Sequence, residues 1–211
     1  MIALVGLVIS VLALSVSAGT AWMTLFRRGL ISMTQPTVIY FGPDGSRYSM
    51  EPKHQKVFFR TLLYSTGKKG QIVENMFIRL HRGETRQNFN IWVYGDEELR
   101  RGSGLFVPEE GVATNHHFLP PSDIESFRFT TGHYVMEVFA TIVGAARVRQ
   151  LFSVQLDVSQ EEANALSQGN AGLYFDWGSD SGRYQHKIQS PQPFPRELVS
   201  ALARMAPLPS D

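Results

Sequence analysis

The sequence contains no cysteine, which excludes thiolate metal sites, iron–sulfur clusters, a thiol nucleophile and any disulfide. It lacks a surplus of charge as well. Twenty Lys and Arg stand against 19 Asp and Glu, a net of +1, so no strong field recruits nucleic acid or an acidic polymer. Internal repeats and low-complexity tracts are missing too. What is present is 211 residues, 43% hydrophobic and 11% aromatic, enough apolar material for one globular core.

Charge is absent altogether from one stretch: Met1 to Phe26 holds no Asp, Glu, Lys, Arg or His. A helix of about 24 residues reaches about 36 Å, enough to cross a hydrocarbon core of about 30 Å. Trp22 suits the interface belt, and Arg27 with Arg28 stops the span at the headgroups. The expectation is a single-pass helix over 2–26, with its basic stop closing a segment 1–28. Because cytoplasmic flanks collect Lys and Arg, Arg27 and Arg28 place the soluble domain on the cytoplasmic side of the inner or plasma membrane. A cleaved export signal competes with this reading. Val16-Ser17-Ala18 offers small residues for cleavage, but no Lys or Arg precedes the apolar run.

After a linker at 29–36, strand-like runs alternate with turn signals, the pattern of a β-sandwich at 37–190. Strands are predicted at Thr37 to Phe41 and Val57 to Tyr64. Met76, Ile78 and Leu80 start a hairpin that turns near Arg82-Gly83-Glu84 and returns as Phe89 to Tyr94. Two long strands follow, from Gly132 to about Val143 and from about Val148 to Val158. Ser159 or Asp157 caps a short helix to about Gln168, with Glu162 at the capping-box position, and Gly172 to Trp177 with Arg183 to Ile188 forms a further hairpin. A Pro-rich linker and a small helix, Arg196 to Met205, occupy 191–211.

Gly132-His133-Tyr134 at the head of a long strand resembles the sixth strand of immunoglobulin-like and fibronectin-like domains. The resemblance implies a mainly β, antiparallel sandwich in which the Tyr134 hydroxyl ties back to the preceding corner, with Met136 where many such domains have cysteine. It implies topology and no chemistry.

Each chemical motif has an ordinary counterpart. Gly178-Ser179-Asp180-Ser181-Gly182 is similar to a hydrolase nucleophile stretch, but it lacks a strand-turn-helix context and suits a hairpin tip. Asp176 and Asp180 lack the alternating acidic series of a calcium loop. The Ser65 to Gly70 turn does not have phosphate-loop spacing. His116 and His117 bind one metal only if they lie in a loop and a third ligand joins them from His81, His133 or a carboxylate such as Glu137, because strand neighbours point to opposite faces. Lys68, Lys69, Arg82, Arg100 and Arg101 meet anionic headgroups if their loops point at the bilayer.

Alternation carries one more expectation. If Met76, Ile78, Val93, Tyr134 and Val138 point inward, then Phe77, Trp92, Tyr94, Val135 and Phe139 make an aromatic outer face. Such a face is covered by the segment after Ser159 or binds a protein partner through Phe77, Trp92, Tyr94 and Phe139. The chain is therefore expected to be a membrane-anchored, non-catalytic interaction or scaffold module with no cofactor, nucleic acid or small-molecule substrate. The alternatives are a metal-binding or enzymatic domain on His116 and His117, or an exported envelope protein.

Overall fold

A computed structural model describes residues 1–23, 29–44, 55–101, 104–121, 127–169 and 171–189. Helix α1, Ile2–Ala21, is about 30 Å long and apolar enough to cross a membrane, and none of it is buried against the rest of the chain. Three of its hydroxyls bond within the helix: Ser10 donates to the Gly6 carbonyl at 2.9 Å, Ser15 to Val11 at 2.8 Å and Thr20 to Val16 at 2.8 Å. Such internal bonding lets a polar side chain sit in hydrocarbon. Arg27 and Arg28 lie outside the described residues, as does the helix expected at 196–205.

The rest of the described chain is antiparallel β structure in two sheets, with one short helix. The strands are β1 (Ile31–Met33), β2 (Val38–Pro43), β3 (Gln55–Ser65), β4 (Gln71–Arg82), β5 (Thr85–Phe89), β6 (Ile91–Tyr94), β7 (Arg100–Arg101), β8 (Leu105–Val107), β9 (Val112–Leu119), β10 (Gly132–Ile142), β11 (Arg149–Val158), β12 (Gly172–Gly178) and β13 (Arg183–Gln189). The eight-stranded sheet runs β13-β12-β2-β3-β9-β6-β7, with β1 also on β3; the five-stranded sheet runs β11-β10-β4-β5, with β8 also on β4. Residues 31–33 fall within the expected linker but pair with Leu63 to Ser65 as β1. Pro36 separates β1 from β2, and its carbonyl accepts a hydrogen bond from the Tyr184 hydroxyl at 2.5 Å.

Alternation fills the space between the sheets. Ile39, Phe41, Val57, Phe59 and Leu63 come from one sheet, and Met76, Ile78, Met136, Val138 and Ala140 from the other; each has no exposed surface. Phe129, in the segment before β10, stacks on Phe41 at 4.5 Å and lies 6.3 Å from Phe89, so an aromatic column joins the sheets. Tyr134 is 3% exposed. Its hydroxyl donates to the Thr130 carbonyl at 2.7 Å and accepts from the Thr130 N–H at 2.9 Å, making the expected corner. Gly132, at φ 140°, supplies the left-handed turn into β10.

The hairpin at Met76 requires a correction. Its return strand is β5 and stops at Phe89; the chain then crosses at Asn90 into the other sheet, where β6 pairs with β9. Phe89 and Trp92, three residues apart, would face opposite ways on one continuous strand. The crossing buries both, at 0% and 2% exposure.

The chain enters the domain at one pole, formed by Leu30, the turn from Ser65 to Gly70, Pro108 to Gly111, and Val143 to Val148. Gly83, Gly132 and helix α2 (Gln160–Ser167) lie at the far pole. Helix α2 carries the expected capping box, Ser159 with Glu162. The β12–β13 hairpin extends the edge of the eight-stranded sheet beside β2.

Candidate functional site

Outward-facing positions of β4 and β10 meet in register across the five-stranded sheet, Phe77 against Phe139, Arg79 against Glu137 and His81 against Val135. The Phe77 and Phe139 rings stack at 5.1 Å with 14° between their planes. Arg79 lies over the Phe139 ring at 4.6 Å, a cation–π contact, and reaches Glu137 at 3.8 Å. His81 Nε2 is 3.1 Å from the same carboxylate. The strip thus presents two aromatic rings, a guanidinium and a His–carboxylate pair on two central strands, all partly exposed. Phe77 and Phe139 were legible from alternation; Arg79 and His81 follow from the same period of two once β4 is paired with β10.

Trp92 and Tyr94 do not belong to this face. They lie on the inner side of the other sheet, ring to ring at 4.6 Å, and Tyr94 packs against the core. The expected four-residue surface fails because alternation does not carry through the crossing at Asn90. Trp92 Nε1–H donates to His116 Nδ1 at 3.1 Å, which fixes the ring proton on Nε2. That Nε2 is buried without a partner. His116 is fully buried, and burial, with lesser effects from His117 and Arg60, pulls its pKa down to about 3.

His117 points to the opposite face, as strand geometry requires, because both histidines lie on β9 and not in a loop. Its Nδ1 is 3.3 Å from Lys56 Nζ, which pairs with the buried Asp44 carboxylate at 3.0 Å. The ring packs on Phe58 at 4.8 Å. Burial and the Lys56 charge lower its pKa to about 4, partly opposed by Asp44. Tyr40 and Tyr174 are beside this cluster, 4.9 Å apart, and burial with both Tyr174 and Asp44 raises the Tyr40 pKa.

The remaining candidates are dispersed. His81 pairs with Glu137, His133 with Asp157, and His186 with Glu162 at 2.7 Å. Burial raises the Glu162 pKa, but bonds from Ser159 and His186 outweigh it and leave the carboxyl below its usual value. Among the described residues, no three His, Asp or Glu side chains gather as metal ligands. Gln155, Asp157, Arg183, Tyr184 and His186 line an open cleft of about 500 Å³ between the edges of the two sheets. The Ser181 hydroxyl donates to the Gly178 carbonyl inside its own turn. Ser65 likewise holds the Gly67 and Lys69 carbonyls at 3.1 and 3.0 Å, making a compact turn with both lysines exposed. Compared with known proteins, the chain matches no family model, no curated protein and no solved structure.

Proposed function

We propose that this protein is a membrane-anchored, immunoglobulin-like sandwich that works as an interaction module, binding a protein partner through the outer face of its five-stranded sheet. The observation that carries the reading is the strip Phe77, Phe139, Arg79: aromatic residues and arginine are the side chains enriched at interface centres, and here they hold one another in place by a stack and a cation–π contact. Helix α1 supports the anchor by its length and its internally bonded hydroxyls. The Tyr134 corner supports the immunoglobulin-like topology. Arg27 and Arg28 favour a cytoplasmic domain.

A photo-crosslinking amino acid placed at Phe77, at Phe139 and, as a control on the other sheet, at Tyr174 tests the proposal in intact cells. The expected result is one common adduct from positions 77 and 139, lost when Arg79→Ala is combined with the probe at 77, and none from 174. Equal adducts at all three positions, or none at 77 and 139, overturn the binding face. The mass of the mature N-terminus tests the anchor: a chain beginning near Gly19 identifies α1 as a cleaved signal.

A further inference from the structure

We infer that the pole where the chain enters the domain rests on the bilayer surface as an anionic-lipid contact; this builds on the reading of α1 as a membrane anchor. Outside α1 and its end, the exposed large hydrophobic side chains among the described residues are Leu30, Ile72, Phe106, Val143 and Val148, at 53%, 43%, 58%, 57% and 50% exposure. They come from four separate segments, and the fold brings all of them to this pole. Ile72 faces Phe106 across the β4–β8 pair, and Val143 N–H donates to the Ile72 carbonyl at 3.0 Å. Leu30 is tied to Thr66 by two hydrogen bonds, at 2.8 and 2.9 Å. Leu30, Val143 and Val148 line a shallow depression of about 390 Å³ together with Arg147 and Arg149.

Scattered single apolar residues need no explanation, but gathering all of them at one end does. Position supplies it. Nine residues separate Ala21 from Ile31, so even a fully extended connection keeps this pole within about 30 Å of the helix end. A tether that short gives a weak lipid contact a high effective concentration. Charge complements the apolar patch: Lys68 and Lys69 at the turn tip join Arg147 and Arg149, against carboxylates at Glu74, Glu109 and Glu110. Cations around exposed apolar side chains suit an interface where lipid carries negative headgroups. Arg82 stands at the far pole, and Arg100 and Arg101 pair with Val93 and Tyr94 on β6, away from this surface.

The absence of cysteine makes the test direct, since every introduced thiol is unique. The full chain, reconstituted in phosphatidylcholine and phosphatidylglycerol vesicles, takes one nitroxide label at a time after Phe106→Cys, Val143→Cys, Val148→Cys, Glu84→Cys at the far pole, or Leu12→Cys in α1. Relaxation by oxygen against a water-soluble nickel chelate reads the depth of each. The expected pattern is a deep label at 12, shallow lipid-exposed labels at 106, 143 and 148, and a water-exposed label at 84. Lys68→Glu with Lys69→Glu should move the three shallow labels toward water. If they match the label at 84 while 12 stays deep, the surface contact is wrong and the anchor stands. If 12 is itself in water, the anchor fails, and lipid exposure at 106, 143 and 148 then decides the contact alone. Dipolar broadening between chains at these three positions would show a second copy covering the pole and overturn the lipid assignment.

Discussion

His116 should make the fold acid-sensitive in a way that one substitution removes. In the folded chain the ring is buried, its Nδ1 is occupied by the Trp92 N–H, and its pKa is held down to about 3; in the unfolded chain it returns to about 6.5. Between those values the unfolded state binds the proton and the folded state does not, so stability is intact above the unfolded pKa and falls as pH drops. The loss from this residue is about 2 kcal/mol between pH 7 and pH 5 and about 3 kcal/mol by pH 4, with a ceiling near 5 kcal/mol. His116→Asn keeps a side-chain acceptor in reach of Trp92 but cannot titrate. The smaller side chain should cost about 1–2 kcal/mol at pH 8. From pH 7 to pH 5, however, the variant should lose about 2 kcal/mol less than the native chain, while His117 contributes equally to both. Urea unfolding in mild detergent, followed by near-ultraviolet circular dichroism at each pH, gives the two slopes. Identical slopes would show that His116 is solvated or already charged in the folded protein, and the reasoning from burial would be refuted.

Three further outcomes check the corner, the core and the buried ion pair. Tyr134→Phe removes both the donor to the Thr130 carbonyl and the acceptor for its N–H, and equilibrium unfolding should show a loss of about 1–2 kcal/mol; Met136→Ala, at a fully buried site, should lose about 2–5 kcal/mol. Lys56→Met removes the cation paired at 3.0 Å with the Asp44 carboxylate, so a melting curve at neutral pH should shift to lower temperature. An unchanged melting temperature would mean that Asp44 is not held by this pair.

Strand β10 was legible because its burial alternates from end to end: Tyr134, Met136, Val138 and Ala140 point inward, and the strand runs as expected to its turn. The capping box at Ser159 was legible for a local reason, three residues of spacing. The crossing at Asn90 was not, because Phe89 to Tyr94 has the composition of one strand, and only tertiary packing shows that Phe89 and Trp92 both belong inside. That single residue accounts for the mistaken half of the aromatic face. The histidine pair could not be placed either: on β9 the two side chains part to opposite faces, whereas in a loop they would have converged. Nor does the sequence disclose the apolar pole, since Leu30, Ile72, Phe106, Val143 and Val148 are far apart along the chain and meet only through the register of β4, β8, β10 and β11.

Because Ile31 begins at one pole and Gln189 pairs with Gly172 at the other, a load passing between the helix and whatever follows Gln189 runs lengthwise through the sandwich. Strands β1 and β13 would then be drawn along their own axes past β3 and β12, with the backbone bonds of each pair sheared together instead of opened one after another. That is the stiff direction of an antiparallel ladder. Loaded in that direction, the domain resists extension with whole ladders and does not first unravel at an edge.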